Sequence, residues 1–215
     1  ALRAAVGEGS VDRISVSLGS PWQETQVEAK TVQKGEPFLF TKSFAVDMLG
    51  SAEAAPGKKL TRSVVATLLN GYLTTDPYGK RAKRAEVIVL STSLDTRIMR
   101  EIEGTLARCF HTRDIRYGSF LEASYRALQD LYPHERDFIL MSVSNEATEA
   151  LSVKRGHLID AGFMACGAHA FTGGTACAGM LSGMLREFAT RHALPRTLFL
   201  IAEEEAGRTI RDALD

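Results

Sequence analysis

The sequence predicts an α/β fold with a mixed sheet, and three observations lead to this prediction. Segments with helical periodicity alternate along the chain with short apolar runs. One of these runs, Ala85–Ser91, is continuously apolar, as expected for a strand covered on both faces. Asp137–Gly167 has the pattern of three consecutive strands followed by a helix. Alternating strands and helices indicate an α/β protein, and an antiparallel meander makes the sheet mixed.

Composition limits the classes of function. The chain has 215 residues, of which 45% are hydrophobic and 24% charged, enough for one large core or two small ones. Because 26 basic residues balance 26 acidic ones, nothing indicates a nucleic-acid partner. No apolar run approaches the ~20 residues of a membrane span, so no integral membrane segment is expected. The three cysteines are interpreted as reduced core thiols, which favours a cytoplasmic protein.

The first predicted segment covers residues 1–62 and contains a sheet region and a helix. Arg13–Leu18 and Thr25–Val32 alternate apolar and polar residues and are predicted strands. A helix follows Phe38–Thr41, with Thr41 or Ser43 as its N-cap. Ser51–Lys59 is small and polar and contains a Pro-Gly pair, which predicts a loop.

The second predicted segment, residues 63–135, is a central α/β unit. Ser63–Leu69 is strand-like, and Lys80–Arg84 is a basic cluster that we interpret as solvated surface. Leu94–Phe110 is the clearest amphipathic helix, since apolar residues recur at four-residue spacing. A short strand at Asp114–Tyr117 precedes a helix at Ser119–Leu131, for which Ser119 has the sequence of an N-cap.

The third predicted segment, residues 136–215, holds the meander and the C-terminal helices. A polar bend at Ser144–Glu146 joins its first two strands, and a turn at Gly156 joins the second to the third. A helix rich in small residues follows Gly167, then a strand at Thr197–Ala202 and a helix from Ala206. In several folds a bend of this kind binds phosphate, because its backbone N–H groups converge on one point.

Three features resemble the actin-like proteins of the FtsA and PilM type, within the actin, sugar-kinase and chaperone superfamily. They are the connection Asn70–Gly79 (NGYLTTDPYG) leading into Ala85–Ser91, the helix–strand–helix ending near Phe120–Ala123, and the meander at 137–167. The resemblance covers Ile14–Leu214. It implies an actin-like (ribonuclease-H-like) mixed sheet with flanking helices and a small inserted subdomain. Since the chain begins without Met, we expect an incomplete or truncated copy.

The resemblance also implies ATP and magnesium in a cleft between two lobes, with the phosphates held by two bends. In such proteins the second bend has the pattern D-x-G-G-x-T-T/D. The matching positions make the candidate cofactor-binding residues Ser142, Ser144, Asn145, Glu146 and Thr148. The pattern's acid is replaced by Ser142, and its glycines by Ser144 and Asn145, so the magnesium-holding carboxylate and the close backbone approach are lost.

The two remaining nucleotide motifs are also missing. Leu18-Gly19-Ser20 is the nearest match to the first phosphate loop, and it lacks the acid. Where a Gly-Gly for adenine would follow Ile201, the chain has Ala202 and then Glu203–Glu205, whose charges would repel a polyphosphate.

We therefore expect a degenerate actin-like scaffold for cell-division or pilus-type assembly, with no cofactor, no metal and no catalytic residue. Its partners would be proteins, including copies of itself, and Lys80–Arg84 and Phe38–Phe40 are candidate docking surfaces. Two alternatives remain open: an active actin-like ATPase that binds ATP and magnesium, and an unrelated α/β binding domain.

Overall fold

The computed structural model describes residues 11–50, 55–112, 114–171 and 176–214. The strands in this part of the chain are β1 (Ile14–Leu18), β2 (Gln23–Leu39), β3 (Lys58–Leu69), β4 (Tyr72–Leu73), β5 (Arg81–Asp95), β6 (Ile115–Ser119), β7 (Phe138–Val143), β8 (Thr148–Lys154), β9 (His157–Met164) and β10 (Thr197–Ile201). The helices are α1 (Lys42–Leu49), α2 (Thr96–Phe110), α3 (Phe120–Leu131), α4 (Ala168–Phe171), α5 (Ala176–Arg191) and α6 (Glu204–Leu214).

The described strands form three sheets rather than one. An antiparallel sheet has the order β2-β5-β3-β4, a mixed sheet has the order β10-β7-β8-β9, and β1 pairs in parallel with β6. The mixed sheet contains the predicted meander, and β10 joins it parallel to β7. The predicted α/β class with a mixed sheet is confirmed. The division into segments 1–62, 63–135 and 136–215 stays a prediction.

Burial on both faces of Ala85–Ser91 is confirmed, although the strand lies at the centre of the antiparallel sheet. On one face Val87 and Val89 pack with Phe40 and Met48 beneath α1. On the other face Leu90 packs with Leu140 and Leu151 of the mixed sheet. Each face of β5 is therefore covered by a different layer, which explains why the sequence has no polar alternation there.

Local capping chemistry places the helices close to their predicted starts. Thr41 Oγ1 accepts a hydrogen bond from Phe44 N at 3.1 Å, and Ser119 Oγ accepts one from Glu122 N at 3.2 Å. Helix α2 begins at Thr96 because the Asp95 carboxylate accepts from Arg97 N and Ile98 N. These bonds to the charged form lower the pKa of Asp95.

Several predicted details need correction. The helix after Gly167 is described as the short α4 and the longer α5; Gly173 and Gly174 lie outside the described residues. The Gly156 turn uses two residues with positive φ, since Arg155 at 53° precedes Gly156 at 76°. Phe40 is fully buried, so it cannot serve the proposed Phe38–Phe40 docking surface.

The prediction that all cysteines are reduced is wrong for two of them. Cys166 and Cys177 are disulfide-bonded, with their Cα atoms 6.0 Å apart, and Cys109 is the free cysteine. Separate apolar settings suggested thiols packed alone, whereas the fold brings the end of the meander against the start of α5.

Candidate functional site

Three turns that are distant in sequence border one cleft of about 320 Å³. They are the turn after β1, the β7–β8 bend and the turn after β10. The lining residues are Gly19, Ser20, Phe120, Ser142, Val143, Ser144, Glu149, Ile201, Ala202 and Glu203. These turns are the three places where the sequence suggested remnants of the first phosphate loop, the second phosphate loop and the adenine motif. The structure therefore brings the three predicted positions together.

The β7–β8 bend is closed by its own hydrogen bonds. Ser144 N donates to Ala147 O at 2.9 Å, and the Ser144 hydroxyl both donates to Ala147 O and accepts from Ala147 N. Ser144 is the residue that replaces a glycine of the family pattern. The Ser144 side chain therefore provides hydrogen-bond partners for the backbone of the turn itself.

Helix α4 packs its N-terminus directly onto this bend. Ala168 N donates to Ser144 O at 2.8 Å, and His169 N donates to Asn145 O at 3.3 Å. Gly167 makes the approach close enough, since a Cβ at this position would clash with the Ser144 carbonyl oxygen and lie 2.5 Å from Ala147 N. The carbonyls of the bend are thereby held by the helix, which fixes the shape of the bend.

The five predicted site residues do not converge on a ligand position. Ser142 and Ser144 line the cleft, whereas Asn145 and Glu146 are exposed. Thr148 is fully buried, and its hydroxyl donates a hydrogen bond to Cys166 O at 2.7 Å. It is not among the residues that line the cleft. Asn145 is absent from the cleft lining. A cofactor-binding role for the five residues stays a prediction.

Glu149 is the main functional candidate that the motif search missed. It is 4% exposed and lines the cleft, and both of its carboxylate oxygens accept from Gln23 Nε2 at 2.9 and 3.1 Å. Burial raises the pKa of Glu149, an effect opposed by the hydrogen bonds from Gln23 and the Ser20 backbone. The sequence did contain a signal, because Glu149 has the same strand parity as the core residues Leu151 and Val153.

Buried polar groups around Glu149 link three parts of the fold. Gln23 Nε2 lies 3.4 Å from Thr25 Oγ1, and that hydroxyl lies 3.5 Å from Ser119 Oγ. Ser20 Oγ is buried in the cleft wall without a hydrogen-bond partner among the described residues. This hydroxyl can bond a water or a polar ligand atom, as buried hydroxyls usually do.

The charge of the cleft disfavours a polyphosphate. Its described lining includes two carboxyl side chains, Glu149 and Glu203, and no Lys, Arg or His. Glu203 is exposed at the cleft, where its carboxylate would repel a phosphate group. No group of three or more His, Cys, Asp or Glu within the described residues could hold a metal ion that would offset this repulsion.

The solved structures that match this chain include two neighbours that illustrate the similarity. A protein from Bacteroides thetaiotaomicron, described as having an actin-like ATPase fold and unknown function, aligns over 92% of this chain and 72% of its own, at 11% identity and a TM-score of 0.40. A chain of the PilM–PilN type IV pilus biogenesis complex aligns over 88% of this chain, at 11% identity and a TM-score of 0.48. This chain spans 64% of that neighbour's length.

The two neighbours are of the actin-like and PilM kinds that the sequence resembles. Neither match assigns an activity, ligand or partner to this chain. No family model and no curated protein matches the sequence. None of the described helices has the length and apolar character needed to cross a membrane.

Proposed function

We propose that this chain is an actin-like assembly scaffold that neither binds nor hydrolyses ATP. The observation that carries the proposal is the state of the cleft. The three turns that would hold a nucleotide still meet, but Glu149 and Glu203 line the cleft without a basic side chain, and the bend is closed by Ser144. The cleft therefore has the turns expected of a nucleotide site but lacks the positively charged side chains that would bind phosphates.

A role in protein assembly is supported by the edge of the mixed sheet. Within the described residues, β10 is paired only with β7. Leu198 is 36% exposed on one face of β10, and on the other face the exposed ring of Tyr132 contacts Phe199 at 5.1 Å. An edge strand with apolar side chains on both faces is suited to pairing with another protein chain. The cell-division or pilus-type setting follows from the sequence resemblance.

Sedimentation velocity over a wide concentration range tests the assembly function. We expect concentration-dependent association or capture of a protein partner through β10, and Leu198→Lys should abolish it by placing a charge at the edge. Val46→Lys is the matched control, because Val46 is 63% exposed and lies on α1, which packs on the other sheet. Loss of association in both variants, or a strictly monomeric chain with no partner, would argue against this function.

An active ATPase is the competing function, and the convergence of the three turns is the observation that favours it. Phosphate release from ATP in the presence of magnesium separates the two functions. We expect no release above the rate of buffer alone, and Glu149→Ala should leave this result unchanged. Release that depends on both the protein and magnesium would support the ATPase.

A further inference from the structure

A second cavity, of about 380 Å³, lies between the antiparallel sheet and the β8–β9 hairpin. The sheet contributes Ala29, Ala66, Leu68, Leu73, Glu86 and Ile88, with Gly71; the other side contributes Lys154, Arg155, His157, Ile159 and His192. It shares no lining residue with the cleft described above. Its volume falls within the range of small-ligand sites, ~300–1,000 Å³.

Small side chains create the floor of this cavity. Ile88 of β5 pairs with Ala29 of β2 on one side and with Ala66 of β3 on the other. The two alanines leave space on both sides of Ile88 where larger residues would fill the gap between the layers. Leu68, Leu73 and Ile159 extend the floor, which is therefore aliphatic and offers an alkyl chain apolar contact without polar partners.

The mouth of the cavity carries positive charge. Lys154 is half-buried at the end of β8, Arg155 is exposed in the turn, and neither side chain forms an ion pair within the described residues. Glu86 is the acid in the lining, and its carboxylate forms an ion pair with Arg84 at 3.0 Å. Burial and the nearby Arg136 lower the pKa of His157, so the ring is available as a neutral hydrogen-bonding group at the mouth.

We infer that this cavity binds an anionic amphiphile, a straight-chain carboxylate whose alkyl chain lies over Ala29, Ile88 and Ala66 and whose carboxylate meets Lys154 and Arg155. Sugars and nucleotides do not fit an aliphatic floor, because their hydroxyl and ring nitrogen atoms would lose hydrogen bonds there. A protein partner needs about 800 Å² of surface on each side, which a cavity of this size does not supply.

Titration calorimetry with dodecanoate below its micelle concentration tests the inference. We expect saturable binding of dodecanoate. Acetate, which has the carboxylate but not the long alkyl chain, should not bind, and neither should dodecyltrimethylammonium, which has the chain but a cationic head group. Absence of saturable dodecanoate binding, or equal binding of the cationic amphiphile, would overturn the inference. Binding only to vesicles that contain an anionic lipid would overturn it in favour of a membrane surface.

Two variants locate the site. Lys154→Glu should weaken dodecanoate binding about tenfold, a change of ~1.4 kcal/mol. Lys59→Glu is its control, because Lys59 is exposed and lies at the opposite end of β3 from the cavity residues Ala66 and Leu68. Ala66→Leu should abolish binding by filling the floor, with Ala123→Leu on the exposed face of α3 as control. If Ala66→Leu does not fold, Lys154→Glu decides the question, and unchanged affinity in that variant overturns the inference.

Discussion

Glu149 lies buried in the cleft wall, where its carboxyl group is held by Gln23 and faces no basic side chain of the cleft lining. Removing a carboxylate from water disfavours its charged form, so the pKa of Glu149 is raised in the folded protein. Between the unfolded value, near 4.5, and the raised folded value, the folded protein binds more protons than the unfolded chain. Its stability therefore falls as the pH rises through this window.

Glu149→Gln removes this pH dependence. The contribution of the protonated Glu149 is complete below about pH 4.5 and is lost as the pH rises, so the stability of the variant relative to the wild type should increase as the pH rises above about 4.5. Urea denaturation at a series of pH values measures the difference. Glu101→Gln, on the exposed surface of α2, controls for removal of one carboxylate, and a constant difference across the series would contradict the assignment.

Gly167 permits the contact between α4 and the bend. Gly167→Ala should destabilise the protein by about 1–3 kcal/mol, because its Cβ would overlap the backbone of Ser144 and Ala147. The matched control is Gly104→Ala in exposed helix α2, where a Cβ meets nothing within 4 Å and helix propensity should add ~0.5–1 kcal/mol of stability. Denaturation midpoints that shift equally in the two variants would show that the bend and α4 are not in contact.

The cysteine pair gives another test at the level of single residues. Cys166 and Cys177 are bonded and Cys109 is free, so thiol titration of the unfolded, unreduced protein should find one reactive thiol per chain and three after reduction. Three thiols before reduction would restore the prediction made from the sequence.

At the scale of elements, helix α3 depends on its N-cap. Ser119→Ala should cost about 1 kcal/mol, because Glu122 N loses its acceptor and Ser119 is buried where water cannot replace it. Ser124→Ala, the same chemical change inside α3, should be neutral or slightly stabilising because Ala favours the helix. Thermal unfolding of the two variants measures the contrast, and equal melting temperatures would contradict the role of the cap.

Periodicity and capping chemistry predicted most elements, because these signals are local. The stripe through Ile98 and Ile102, the N-cap at Ser119 and the meander strands all lie close to their predicted places. The assignment of strands to three sheets could not be predicted, since pairings such as Ala29 with Ile88 join residues far apart in sequence. The same holds for the Gln23–Glu149 contact, which depends on how the sheets pack against each other.

For the whole molecule, the sequence motifs predicted which turns border the cleft but not that Glu149 is part of its lining. The three predicted positions meet because β1, β7 and β10 end at the same cleft. Glu203 was expected from the sequence, whereas Glu149 belongs to no nucleotide motif, so its place in the lining is seen only when the turns are brought together. The shape and charge of this cleft are the basis of the proposal that the chain is an assembly scaffold without nucleotide binding.

The most direct test of this account is titration calorimetry of the chain with ATP and magnesium. The account predicts no saturable heat of binding up to millimolar ATP, with or without magnesium, for a folded and monodisperse protein. Saturable, magnesium-dependent binding that is lost in the Ser142→Trp variant, in which a large side chain fills the cleft, would contradict it.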